Sequence, residues 1–251
     1  MQDWSDSPTP PPPASPHNPY APPSAPGGPP VVGGGDRLPW LDRSQLGWGA
    51  ALIETVKLIV QDARGAFARV RPDGDYVSPF LFGLFIAWVM TIIGQIWSFA
   101  FSGLWTGMLG GLEGMEGMGA MGAVGFAQVV MVAFLFPIIY PIIILISSGI
   151  YHLGLMVLGG LNDSESRFEG TFNVMSYSQV ATLANIVPIV GGLVAFGLQV
   201  YFNYHGFMQV HRTSSGKALA AALLPIILCC VCVIAMIMAA GGAAFMGAAS
   251  Q

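Results

Sequence analysis

The sequence predicts an all-α integral membrane protein: five transmembrane helices with a preceding amphipathic interfacial helix. Three observations predict it. The 251-residue chain is 54% hydrophobic and only 9% charged, with a mean hydropathy of +0.65, whereas a soluble domain carries about 25% charged residues. The apolar residues gather in runs long enough to form spanning helices. All nine lysines and arginines fall on one side of the membrane when five spans are drawn from a cytoplasmic N-terminus.

The longest uncharged run, 172–210, sets the topology. It holds no Asp, Glu, Lys or Arg in 39 residues. As one straight helix it would be about 58 Å long, roughly twice the hydrocarbon thickness of a bilayer. It is therefore expected to fold back at Ile186-Val187-Pro188, because proline breaks the helix before it and forces its predecessor out of the helical region. The arm 172–186 is polar, with Ser176, Tyr177, Ser178, Gln179, Thr182 and Asn185. The arm 189–210 is mostly Val, Leu, Phe and Gly.

The other elements follow in order. Residues 1–36 are rich in Pro, Ser, Gly and Ala, and such a tail cannot offset its ordering entropy. Its Pro10, Pro13, Pro16, Pro19 and Pro22 share one edge of a polyproline II helix. Within a cytoplasmic segment, 37–78, residues 46–70 show helical amphipathicity. Leu52, Ile53, Val56, Ile59, Val60, Ala63 and Phe67 oppose Glu54, Lys57, Gln61 and Arg64. This helix is too charged to span and is expected to lie in the interface. The membrane domain, 79–241, contains spans at about 80–106, 124–158, 172–186, 189–210 and 218–240, with a re-entrant segment as the structural alternative for the short 172–186 stretch, and 242–251 is a short tail. The Gly/Met stretch 107–123 is a flexible loop, and Met115, Met118 and Met121 read as low complexity rather than a Cu(I) site.

The cations make this count self-consistent. Arg37, Arg43, Lys57, Arg64, Arg69, Arg71, Arg167, Arg212 and Lys217 all become cytoplasmic. Splitting 124–158 in two, or leaving 172–210 as one span, strands some of them outside. The N-terminus shows no cationic region leading into an apolar run, so no cleavable signal peptide is expected.

Little in the chain carries chemistry. The net charge of −4 is dispersed, so nucleic acid is not an expected partner. Cys229, Cys230 and Cys232 sit in an apolar run and read as filler. SSGKA at 214–218 lacks the first glycine and the hydroxyl residue of a P-loop. His152, His205 and His211 fall near the cytoplasmic ends of spans. No catalytic residue, cofactor or metal is expected, and the protein is read as not an enzyme. The polar arm is expected to supply interhelical hydrogen bonds. Ser176, Tyr177, Gln179 and Asn185 would face Ser147, Ser148 and His152 of the second span.

Several motifs resemble one family. They are PW-DR-LG in 39–47, ETVKLIV at 54–60, Gly159-Gly160, FEGTFNVMSYS at 168–178 and IVPIVGG at 186–192. With the five-span layout they resemble the Yip domain family of Ypt/Rab-interacting membrane proteins, in particular its bacterial members, over about residues 37–240. The resemblance implies a non-enzymatic role; in eukaryotes the family acts in early secretory traffic. The Asp-Leu-Tyr-Gly-Pro-type motif of the eukaryotic branch is absent, so Rab binding is not carried over.

The expected function is that of a scaffold or adaptor for membrane organisation or trafficking. A small transporter or channel using the polar arm 173–185 is the alternative. The expected partners are the lipid bilayer and other membrane proteins, with a homo-oligomer as a further candidate. The expected location is the bacterial cytoplasmic (inner) membrane, multi-pass, with the N-terminus cytoplasmic.

Overall fold

The computed structural model describes residues 36–110 and 115–249. The proline tail thus lies outside the described residues, apart from Asp36. So do the side chains of 109–124, which hold the methionine repeat. Every regular element among the described residues is helical.

The chain begins with a 3₁₀ turn, Pro39–Asp42, and a single helical turn, α1 (Arg43–Leu46). Gly47, at φ +82°, then redirects the backbone, a conformation open to glycine because it has no Cβ. The expected helix over 46–70 is two helices, α2 (Trp48–Gln61) and α3 (Ala63–Ala68). The break falls at Asp62, whose carboxylate accepts the Gly65 N–H at 2.8 Å and caps α3. Ala51, Thr55 and Ile59, followed by Ala63, Ala66 and Phe67, face the protein. Of the apolar face expected to meet the membrane, Ile59, Ala63 and Phe67 are therefore buried inside, whereas Ile53 and Val60 are more than half exposed.

α4 (Val77–Gly110) opens on a cap. The Asp75 carboxylate accepts the N–H groups of Val77 (3.0 Å) and Ser78 (2.9 Å), and its charge suits the positive end of the helix dipole. Burial pushes the Asp75 carboxyl up. Its hydrogen bonds from Ser78 and Val77, with Arg43 nearby, outweigh that and hold it below the usual carboxylate value.

α5 (Met115–Val157) runs unbroken through Pro137 and Pro141, so 124–158 is one helix and not a hairpin. α4 and α5 both extend into the stretch expected as a loop at 107–123. α5 ends in a Schellman motif: Gly159, at φ +64°, bonds back to Met156 O and Gly160 to Leu155 O. The paired glycines of the sequence motif are this cap. Lys217 adds a cation at the same helix end, donating to Gly159 O at 2.8 Å.

α6 (Arg167–Tyr177) passes directly into a 3₁₀ segment, Ser178–Ile186. Gln179 bonds Met175 O and Thr182 bonds Gln179 O, so side chains hold the backbone in the tighter winding. The chain then reverses at Val187, which is extended (φ −92°, ψ 112°) ahead of Pro188. α7 (Gly191–Val210) packs back along the arm. α8 (Ser215–Ala222) and α9 (Leu224–Ala249) follow, bent by 49°. Pro225 explains the bend, since it has no N–H to give to the Ala221 carbonyl.

α6 is the centre of the packing. Residues 170–178 are all buried, so the first half of the polar arm is enclosed by α4, α5 and α7, while 182–185 are half-buried and Ile186 is exposed. The Tyr177 ring lies 5.2 Å from Phe82, which in turn lies 5.6 Å from Trp40.

Two helices are long and apolar enough to cross a membrane, over Val77–Trp105 and Gly125–Val157; counting the bent pair α8–α9 as one makes three. Only 11% of the apolar stretch of α5 is covered by the rest of the protein, against 39% for α4, so α5 presents the larger surface to lipid. The two arms of the 172–210 hairpin fall short of this measure. The first arm falls short in length, its α-helix ending after 11 residues, and Gln199, Asn203, His205 and Gln209 dilute the second.

Candidate functional site

Three polar assemblies stand out from the helical body. The first is the N-terminal cap. Trp40 is 2% exposed. Its N–H donates to Thr55 Oγ1 and its ring Nε1–H to Ser78 O, both at 2.7 Å. Arg43 lies over the Trp40 and Trp48 rings at 5.1 and 5.6 Å. It also donates to Trp40 O and Ser78 Oγ, both at 3.1 Å. A cation over an aromatic face adds electrostatic attraction to this packing. The PW-DR-LG run is thus an anchor that seats α1–α3 on the start of α4, with Trp40 and Arg43 as its fixed points.

The second is a hydrogen-bonded relay at the end of the body near 159–166. Thr171 Oγ1 lies 3.0 Å from both His152 Nδ1 and His211 Nε2. His211 Nδ1 lies 2.7 Å from Ser164 Oγ and 3.3 Å from Ser166 Oγ. Ser166 donates to Val210 O at 3.1 Å. His211 is fully buried, with both ring nitrogens partnered. Burial pushes it down to about 4, and the nearby His152 adds to the effect. It is therefore neutral at physiological pH and ties three segments together as donor on one nitrogen and acceptor on the other. Sequence reading placed His211 near a span end but gave it no partner. The hydroxyls of Ser164, Ser166 and Thr171 were the available signal.

The third is a cleft of about 480 Å³ between α4, α5 and the 3₁₀ arm. Ser147, Gln179 and Asn185 line it together with Thr91, Gln95 and Thr182.

The seven residues expected to pair are distributed over these places. Ser147, Gln179 and Asn185 share the cleft. His152 belongs to the relay. Tyr177 packs in the aromatic core below the cap. Ser148 and Ser176 are buried with hydroxyls that have no protein partner. Among the described residues, no hydrogen bond joins two of the seven.

The comparisons bear on this architecture. No curated protein and no solved structure matches the chain. A family model, the Yip1 domain, matches residues 57–237. The matched stretch takes in the last five residues of α2, the spans, the buried arm, the relay and the cleft. The chain is a membrane protein that belongs to the Yip1 domain family.

Proposed function

We propose that the protein is a non-enzymatic scaffold or adaptor that crosses the membrane five times and gathers other membrane proteins at its cytoplasmic cap. The observation that carries this reading is the seating of α2. Trp40, Thr55 and Ile59 hold the helix on the body while Ile53 and Val60 remain more than half exposed beside Lys57. A fixed, solvent-side face of large apolar residues beside a cation is suited to a partner or to the lipid interface.

Five crossings are supported by the winding of the arm. Beyond Glu169, eight α-helical residues (170–177) at 1.5 Å and nine 3₁₀ residues at 2.0 Å give an uncharged contour of about 30 Å, matching a bilayer core of about 30 Å. The same residues wound wholly as α-helix would be about 4 Å shorter. With five crossings every cation stays cytoplasmic. Membership of the Yip1 domain family does not favour the transporter or channel alternative.

The test is crosslinking of the tagged full-length protein in its own membrane, wild type against Ile53→Glu/Val60→Glu. We expect a defined set of membrane-protein partners that the double variant loses while its thermal stability is kept. An unchanged partner set, or solute flux in proteoliposomes of the wild type, would refute the scaffold reading.

A further inference from the structure

The cleft between α4, α5 and the 3₁₀ arm goes beyond a scaffold's needs. Its volume of about 480 Å³ lies within the range of small-molecule sites, and it is open on one side rather than enclosed. Its hydrogen-bonding lining comes from three separate elements: Thr91 and Gln95 from α4, Ser147 from α5, and Gln179, Thr182 and Asn185 from the arm. Tyr140 also lines it. That side chain is 2% exposed, and its hydroxyl is buried with no protein partner. The hydroxyl is turned toward Gly83 and the Ser176 carbonyl, so Tyr140 adds wall to the cleft and not a hydrogen-bonding group.

Depth and charge narrow the ligand. Thr91 lies about 20 Å from the start of α4 and Ser147 about 15 Å before the end of α5, so the cleft sits at the level of the hydrocarbon core. A ligand reaches it from the bilayer. No Asp, Glu, Lys, Arg or His is among the described lining residues. A phosphate or an ammonium would lose its hydration there and find no opposite charge. Amides and hydroxyls both donate and accept, and they match the hydroxyls and ester carbonyls of an uncharged head. The apolar remainder of the wall, including Phe136, Ile143 and Met175, suits the first carbons of acyl chains.

We propose that this cleft binds the uncharged, hydroxyl-bearing head of a membrane lipid, of the glycerol type carried by a diacylglycerol. The experiment uses the purified full-length protein in phosphatidylcholine nanodiscs and a diacylglycerol with a photoreactive acyl chain. Labelled peptides are mapped by mass spectrometry. Label should concentrate in the peptides of α4 and the 3₁₀ arm, and excess unlabelled diacylglycerol should displace it. Thr91→Val and Ser147→Ala remove hydroxyls with little change of volume, so each should fold and lower the labelling by about fivefold, the worth of one neutral hydrogen bond. Asn185→Leu should do at least as much. A phosphatidic acid probe with the same chains should label these peptides at least about fivefold less.

Equal labelling by the two probes would overturn the proposal. So would label spread along the lipid face of α5 at Ile142 and Ile146, or labelling unmoved by Thr91→Val and Ser147→Ala combined. Displacement by free glycerol would show a site for a soluble polyol and would overturn the lipid assignment.

Discussion

Trp88 repairs the backbone that Pro137 breaks: its ring Nε1–H donates to the carbonyl oxygen of Ala133 at 2.7 Å. Ala133 stands four residues before Pro137, whose ring nitrogen carries no hydrogen, so the Ala133 carbonyl has no helical partner. In lipid no water replaces that bond. A side chain on α4 therefore satisfies a backbone group on α5 and pins the two long helices at one register.

This pairing predicts a thermodynamic cycle. Trp88→Phe removes the donor and should cost about 1–2 kcal/mol of stability. Pro137→Ala restores an N–H within the helix, and in that background Trp88→Phe should cost clearly less. Thermal unfolding of the four proteins in one detergent measures the coupling. Strictly additive losses would mean that the Trp88 bond does not serve the proline's orphan.

Gly83 lets α4 meet the buried arm. A Cβ there would lie 2.7 Å from the carbonyl oxygen of Ser176 and 2.8 Å from the Tyr140 hydroxyl. The first neighbour is backbone and cannot swing away. Gly83→Ala should destabilise by about 1–3 kcal/mol through overpacking. Gly197→Ala is the matched control, because nothing lies within 4 Å of its added Cβ; it should be neutral or mildly stabilising. Similar midpoints for the two variants in a thermal melt would contradict the close approach.

These relationships mark where sequence reading stops. Patterns local in the chain were legible. Pro188 placed the hairpin turn, the absence of charge from 172–210 placed the arm, and the spacing of Val56, Ile59 and Ala63 announced an amphipathic helix. Long-range pairings were not. Trp88 and Ala133 are 45 residues apart, Thr171 and His211 are 40 apart, and no periodicity connects them. The sequence predicts a spanning helix over 172–186; the 3₁₀ winding goes with the bonds that Gln179 and Thr182 make to the backbone. Asp62 lies among residues of fair helix propensity, so its role as a cap inside 46–70 emerges only from its bond to Gly65. The resemblance motifs were visible as strings, but their work as anchor, helix cap and turn needed the fold.

His211 should make stability depend on pH. Its folded-state value, about 4, lies below the unfolded value of about 6.5. Above pH 6.5 both states are neutral there and the contribution is complete. Between pH 6.5 and 4 the unfolded chain takes up a proton that the folded one refuses, so stability falls as pH falls, by on the order of 1 kcal/mol per pH unit. The loss levels off below about pH 4. Melting temperatures of wild type and His211→Gln across pH 7 to 4 isolate the effect as a difference, since other titrating groups are common to both. The variant should begin less stable at pH 7 and lose less over the window. Parallel curves would show that His211 is not the group held neutral.

The orientation of the chain is open to direct measurement. Five crossings from a cytoplasmic N-terminus place the 159–166 loop and the 211–214 linker inside, and the segment around residue 117 outside. The relay ties the first two together, since Ser164 and Ser166 both reach His211, so these two segments must lie on the same side whatever the number of crossings. Arg212 and Glu165, 3.3 Å apart, join them again at the surface. In a background with Cys229, Cys230 and Cys232 replaced, Glu165→Cys and Ser214→Cys should resist a membrane-impermeant maleimide in intact cells and react after permeabilisation. Gly117→Cys should react in intact cells. Opposite behaviour of positions 165 and 214 would contradict the relay itself. Joint labelling of both from outside would leave the relay standing but invert the orientation, placing Arg167, Arg212 and Lys217 on the external face. Protection of 165, 214 and 117 together would remove one crossing from between residue 117 and the relay, and with it the five-span count.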